Sequence, residues 1–390
     1  MPTLAEIIAA LDSWYPPETA ASWDSVGLTC GDPGDAIGKV LLAVDCVPDT
    51  VTEARAVGAQ LLFTHHPLLL TGVHGVPASN PKGSMVHQMI SRGIAHFAAH
   101  TNADVAERGV SSALAERLNL IGVGPLDPDA VAPIDQLSVF VPEPDLDRLI
   151  SALSDAGAGT LGHYDQCTFV VAGSGTFRPL PGANPSVGEI GVVNRVVEVR
   201  LSMALPRHRR EAVIAAMRAA HPYEQVAFEL TEQARLNART GTGRIGELPE
   251  PMTLRTFLDY AAARLPPTVW GLRAAGDPGR AVQRVAVCGG SGAEYADLAR
   301  SAGADTYLTS DLKHHSTLEA VSERQSAGAP PVMALVDVAH WATEAPWLSV
   351  VAAMLRSRFG PGLDVRISQI VTDPWTLHAE QRAPGQSHRG

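Results

Sequence analysis

Two stretches far apart in the chain run through the same order of events. "ARAVGAQLLFTHHPLL" (residues 54–69) and "ARSAGADTYLTSDLKHHSTL" (residues 299–318) each give a helix end, a Gly-Ala turn, an apolar strand, a threonine and a pair of histidines. The next predicted strand of each also ends alike, in "AAHTNAD" and in "VAHWATE". Short apolar strands alternating with helices put the chain in the α/β class with a largely parallel sheet. Self-similarity at this distance predicts two similar α/β half-domains with unrelated sequence between them.

The intervening stretch has a different order. From about residue 135 it reads strand "LSVFVP", helix "DLDRLISALSDAG", strands "CTFVVAG" and "VNRVVEVRLSM", helix "RHRREAVIAAMRAAH" and strand "QVAFEL". That β-α-β-β-α-β order is the ferredoxin-like plan. The expected layout is core half one over 1–130, an inserted ferredoxin-like α+β domain over 131–240, core half two over 241–382, and a disordered tail over 383–390. The α/β texture resumes after "ARTGTGRIGELPEP". Between the insert's middle strands, "GSGTFRPLPGANPSVGEIG" reads as a long Gly- and Pro-rich loop. Its Phe177, Arg178 and Glu189 are candidate effector contacts, with loop packing as the plainer explanation.

In open α/β sheets, ligands collect beyond the carboxyl ends of the strands. His65, His66, His100 and His340 all fall at such ends, and His100 and His340 are each followed four residues later by a carboxylate, Asp104 and Glu344. On a helical turn, residues i and i+4 share a face. Adjacent residues on a flat strand point apart, so one ion could hardly use both His65 and His66, and two ions fit "HHP" better. Glu344 is a natural bridge, with His65 and Asp104 on one ion and His66 and His340 on the other. Pro346 predicts that the last helix begins near Thr343, with Glu344 in its first turn. Imidazole with carboxylate and no thiolate suits Zn, Mn, Fe or Ni, and an open position would bring the pKa of bound water toward about 7. Thr64, Thr101 and Thr309 are expected to orient the rings. His314 and His315 open a predicted helix, and of the two His315 is the better candidate for a role. The glycines of "VCGGSGAEY" lack phosphate-loop spacing and carry only a weak anion signal. No GxSxG motif competes for nucleophilic catalysis.

Composition narrows the class. With 45% apolar and 18% charged residues in 390, the chain is long enough and balanced enough for real cores. Its net charge of −11 disfavours nucleic acid, and the short basic run Arg207–Arg210 reads as a solvated helix start. Four cysteines without CxxC spacing argue against disulfides and thiolate zinc. No signal peptide and no membrane-length apolar run are read, so a cytoplasmic location is expected.

Together "WDSVGL", "FTHHPLL", "AHTNADVA", "GTFRPLPGANP", "HPYEQVAFEL", "GRIGELPEPM", "VAVCGGSG", "LTSDLKHH" and "DVAHWATE" make a specific signature. The chain resembles the GTP cyclohydrolase I type 2 family, also called Nif-three-like, in its long form with a PII/CutA-like insert. The resemblance implies two α/β halves around a dinuclear metal centre, assembled as a homohexamer. It carries the metal ligands onto His65, His66, Asp104, His340 and Glu344, with two divalent ions per subunit and His100 lining the site. It implies a metal-dependent hydrolase working through metal-bound hydroxide on a nucleotide-like or phosphorylated small molecule, GTP being the named candidate. His100 or His315 would then carry the proton. The alternative is a metal-binding regulatory or carrier protein without turnover.

Overall fold

The computed structural model describes residues 1–234, 238–322 and 332–379, so the expected disordered tail lies outside the described residues. The chain is mixed α/β and divides into two compact units, residues 1–129 with 238–390, and residues 130–237.

The first unit contains two sheets. One has the order Gly27–Cys30, Ala95–Ala98, Leu61–Thr64, Lys39–Ala43, Asp364–Ile367. Its last four strands run parallel, and the first pairs antiparallel. Leu61–Thr64 is buried along its whole length, as expected of a parallel strand covered on both faces. Leu42 and Phe63 turn to one side, where helix Leu4–Trp14 and the last long helix bring Ile7, Leu11, Trp347 and Val351. Leu41 and Leu62 turn to the other, against Val51, Ala54, Met85 and Met89 of helices Pro48–Val57 and Pro81–Ser91.

The second sheet has the order Leu272–Ala275, Ala334–Val338, Thr306–Ser310, Ala281–Ser291, Gly241–Thr253, Ile121–Pro128. Its second, third and fourth strands are mutually parallel, and the others pair antiparallel. The first four strands of both sheets therefore follow one plan: an antiparallel edge, then three parallel strands in reverse chain order. The sequence reading had no strand at Ile121–Pro128 or Asp364–Ile367, and these two cross over. The N-terminal part supplies an edge to the second sheet, and the C-terminal part supplies one to the first. "GTGRIGELPEPMT", read as a passage between regions, is a long strand. Its Pro249 and Pro251, which cannot donate to a ladder, fall where the register shifts between Glu247 and Met252.

The last helix departs from expectation. It runs His340–Phe359 with Pro346 inside it, rather than starting near Thr343. Proline removes one helical hydrogen bond, a cost of about 3 kcal/mol or more in a helix interior. Burial of Trp347, Leu348, Val351, Ala352 and Leu355 on the following turns offsets it.

The second unit is a four-stranded antiparallel sheet ordered Phe169–Phe177, Asn194–Pro206, Ile134–Val141, Phe228–Glu232. Helices Leu146–Asp155 and Arg210–Ala220 cover one face, packing Leu149, Leu153, Val213 and Met217 on Leu137, Val139, Leu201 and Met203. The basic run is used internally: Arg207 and Arg210 donate to the buried Asp135 carboxylate at 3.0 and 2.8 Å. All four cysteines are free. Among the described residues no helix is long and apolar enough to cross a membrane.

Candidate metal centre

The strand Leu61–Thr64 stops because the chain curls. The amides of His65 and His66 both donate to Val44 O, at 3.1 and 2.9 Å, and Thr64 Oγ1 donates to His66 O at 2.7 Å. The ring centroids consequently lie 4.9 Å apart rather than on opposite faces of a sheet. His340, on the first turn of its helix, brings its ring to 5.3 Å from that of His66. Glu344, one turn on and 3% exposed, reaches all three: Oε1 is 3.4 Å from His65 Nε2 and 2.9 Å from His340 Nε2, and Oε2 is 3.3 Å from His66 Nε2. Asp104, on the short helix Thr101–Val105, has Oδ1 3.7 Å from His65 Nε2. The His100 ring lies 5.1 Å from that of His65.

Each of the four rings is held by its other nitrogen. Nδ1–H of His65 donates to Ala99 O at 3.0 Å, of His66 to Asp45 at 2.7 Å, of His100 to Asp24 at 2.8 Å and of His340 to Asp311 at 2.7 Å. Those partners can only accept, so every Nε2 is left for the centre. Thr101 steadies Asp24 through its backbone N–H and its hydroxyl, and Thr372 donates to Asp45. Thr309 acts on backbone instead, donating to Gly290 O at 3.0 Å. The sequence reading missed Asp24, Asp45 and Asp311. Asp45 and Asp311 sit just past the ends of buried strands, and Asp24 belongs to "WDSVGL".

Gly290 lies against the cluster itself. At φ +66°, its backbone approaches so closely that a β-carbon would stand 2.6 Å from Glu344 Oε1 and 3.2 Å from His340 Nε2. Its N–H donates to Thr343 Oγ1 at 2.9 Å, which anchors the turn to the helix carrying Glu344.

The buried carboxylates and rings shift one another's pKa values. Burial disfavours the imidazolium of His66, but Glu344 and Asp45 outweigh it and hold its pKa well above the ordinary histidine range. His340 is raised in the same way, burial being overcome by Glu344 and Asp311. Burial would raise the Glu344 carboxyl, yet His66, His65 and His340 keep it well below the usual carboxylate range. Asp104 moves up, chiefly through burial, against the pull of His65. His100 moves down, through burial and the nearby His65, despite Asp24.

The donor set fits a metal. Asp104 Oδ1 and Glu344 Oε2 are buried with no hydrogen-bond partner, unusual for carboxylate oxygens. The ligand atoms of His65, His66 and His100 lie within 4.8 Å of one another, as do those of His66, His340 and Glu344. All are nitrogen or oxygen donors, suited to borderline divalent ions. His315 is not brought in: it is exposed on helix His314–Ser322, its ring 5.1 Å from that of His314. His96 is a buried residue bonded to Thr64, its pKa pushed down to about 4 by burial.

The comparisons agree with this architecture. Proteins named GTP cyclohydrolase 1 type 2 homolog from Mycobacterium tuberculosis and Bacillus subtilis are 47% and 34% identical to the chain, over 97% and 95% of it and 97% and 98% of their own lengths. A Bacillus cereus protein related to NIF3 superposes with a TM-score of 0.68 at 34% identity, covering 97% of this chain and 99% of that one. Staphylococcus aureus protein SA1388 gives 0.73 at 27% identity, with the same coverage. The sequence model of Duf34/NIF3 (NGG1p interacting factor 3) matches residues 2–374, and the chain belongs to that family.

Proposed function

We propose that this protein is a metal-dependent hydrolase in which His65, His66, Asp104, His340 and Glu344 hold two divalent ions, Glu344 serving both. The observation that carries the reading is the convergence of three Nε2 atoms on one buried carboxylate whose Oε2 has no hydrogen-bond partner. Bound ions of this kind supply Lewis acidity and lower the pKa of a coordinated water toward about 7. The chain's own contribution is orientation: Asp45, Asp311 and Ala99 O fix the ring planes, and Gly290 leaves room beside Glu344. His100, held by Asp24 and facing His65 and His66, is the residue to which we assign proton transfer; His315 has no contact with the cluster among the described residues.

The substrate class is a nucleotide-like or phosphorylated small molecule, with GTP the first candidate, taken from the names of the relatives. The matching strand order of the two sheets supports a duplicated pair of α/β halves, and the sheet of the second unit with its two helices supports a ferredoxin-like insert. Turnover of GTP and of a panel of phosphorylated compounds, with and without added Zn, Mn, Fe or Ni, tests the activity. Metal-dependent turnover lost in His65→Ala, with unchanged circular dichroism, is the expected result. Metal that exchanges freely with no turnover across the panel would favour a carrier instead.

A further inference from the structure

The second unit has an open-sided cavity of about 690 Å³ that the metal chemistry leaves unused. Its floor is the helix-free face of the strands Phe169–Phe177 and Asn194–Pro206. Gly173 is paired with Glu198 and Val171 with Arg200, so this face presents Val171, Gly173, Gly175 and Phe177 in turn. Two of those four positions carry no side chain. At Gly175 a β-carbon would meet Glu198 Oε2 at 2.5 Å, so this glycine lets the Glu198 carboxylate lie across the strand. At Gly173 a β-carbon would find only Glu198 O, 4.0 Å away, and packing makes no demand for glycine there. Glycine inside a strand weakens it, and marks places where a ligand or another backbone comes close.

The walls are aromatic and apolar. Phe177 and Tyr223 face each other with ring centroids 6.5 Å apart, and Leu180 and Pro185 of the long loop also line the space. The Tyr223 hydroxyl is buried beside the Glu198 carboxylate, and burial together with that carboxylate pushes its pKa up to about 12. Two further charged residues here are engaged: Arg200 donates to Ser138 and Glu229 at 3.2 and 3.0 Å, and Glu224 accepts the Asn184 N–H at 3.2 Å. Of the loop residues singled out in the sequence, Phe177 and Arg178 line the cavity. Glu189 is tied through its backbone to Asn194.

We propose that this cavity binds a small planar heteroaromatic molecule, lying over Gly173 beside Phe177 and Tyr223 and donating ring or exocyclic N–H groups to Glu198. The volume falls in the range of small-molecule sites, about 300–1,000 Å³, and apolar walls with one convergent polar group are their usual composition. An ionised carboxylate only accepts, which selects N–H-bearing edges. Arg178, exposed at the margin, is available to an anionic substituent.

Calorimetric titration of the full chain with 2-aminobenzimidazole, against indane as a planar control lacking N–H, tests the proposal. Saturable binding at one site per chain is expected, at least tenfold weaker for indane. Glu198→Gln should weaken 2-aminobenzimidazole binding about tenfold or more, the loss of a charge-assisted hydrogen bond. Gly173→Leu should abolish it, and metal content should stay unchanged in both variants. No saturable binding, or binding indifferent to Glu198→Gln and equal for indane, would overturn the proposal even if Gly173→Leu failed to fold. Binding that emerged only when an assembly was dissociated would overturn it as well, because a second copy would then be the occupant.

Discussion

The strands Leu61–Thr64 and Thr306–Ser310 occupy the third place in their respective sheets, yet their carboxyl ends do different work. The first delivers His65 and His66 directly into the cluster. The second delivers Asp311, held at φ +57°, whose carboxylate steadies His340, while its histidine pair lies further on, exposed at a helix start. The two His-x3-acid pairs differ in the same way. His340 meets its own Glu344 at 2.9 Å, whereas His100 turns to Asp24 and leaves Asp104 to His65. Glu344 is 3% exposed and Asp104 25%. Places that match in the strand order of the two sheets thus take different roles. What decides the role is which acceptor takes Nδ1 and how dry the partner carboxylate is.

That asymmetry sets an order of effects. Glu344→Gln should weaken metal binding most, on the order of 100-fold or more, because one buried group serves three imidazoles. Asp104→Asn should cost less, and equal losses in equilibrium dialysis would break the comparison. Asp45→Asn and Asp311→Asn should each cost about 10–100-fold, the usual effect of removing a ring-orienting carboxylate. If only one of them matters, the supporting roles of the two strand ends are not equivalent.

Gly290→Ala forces a side chain into left-handed backbone beside Glu344, and should lower stability by about 1–3 kcal/mol in denaturant unfolding. Acidity acts on the same groups. His66 and His340 have raised pKa values, so their protons must leave as an ion binds, and affinity should fall by up to about tenfold per pH unit for each proton displaced. The sign is fixed: loading decreases as pH drops from 8 to 5, and pH-independent loading would mean that these rings are not ligands. Smallest of all, replacing His314 and His315 by alanine should change stability by no more than about 0.5 kcal/mol and leave metal content intact.

The cluster was legible because its members interrupt apolar periodicity. Two titratable rings after "LLF" have few structural reasons to be there, and the repeat "AAHTNAD"/"VAHWATE" ties distant residues to the same kind of strand end. Asp24, Asp45 and Asp311 were not legible, since an aspartate beside a strand end is ordinary turn chemistry. The close approach of Gly290 to Glu344 was not legible, because it depends on a helix far away in sequence. The exchanged edges were hidden too. "IGVGPLDP" has a single buried residue and is rich in Gly and Pro, and "DVRI" has only four residues, too few to show a period. The helix start at His340 was misjudged because proline was weighted above the burial that follows it.

Anomalous diffraction at the metal absorption edge, on crystals of protein purified without chelator, tests the central claim most directly. Two peaks per chain are predicted, one bounded by His65 and Asp104, the other by His66 and His340, with Glu344 reaching both. A chain whose anomalous peaks all lay away from these five side chains, or that showed none after incubation with divalent metal, would contradict it.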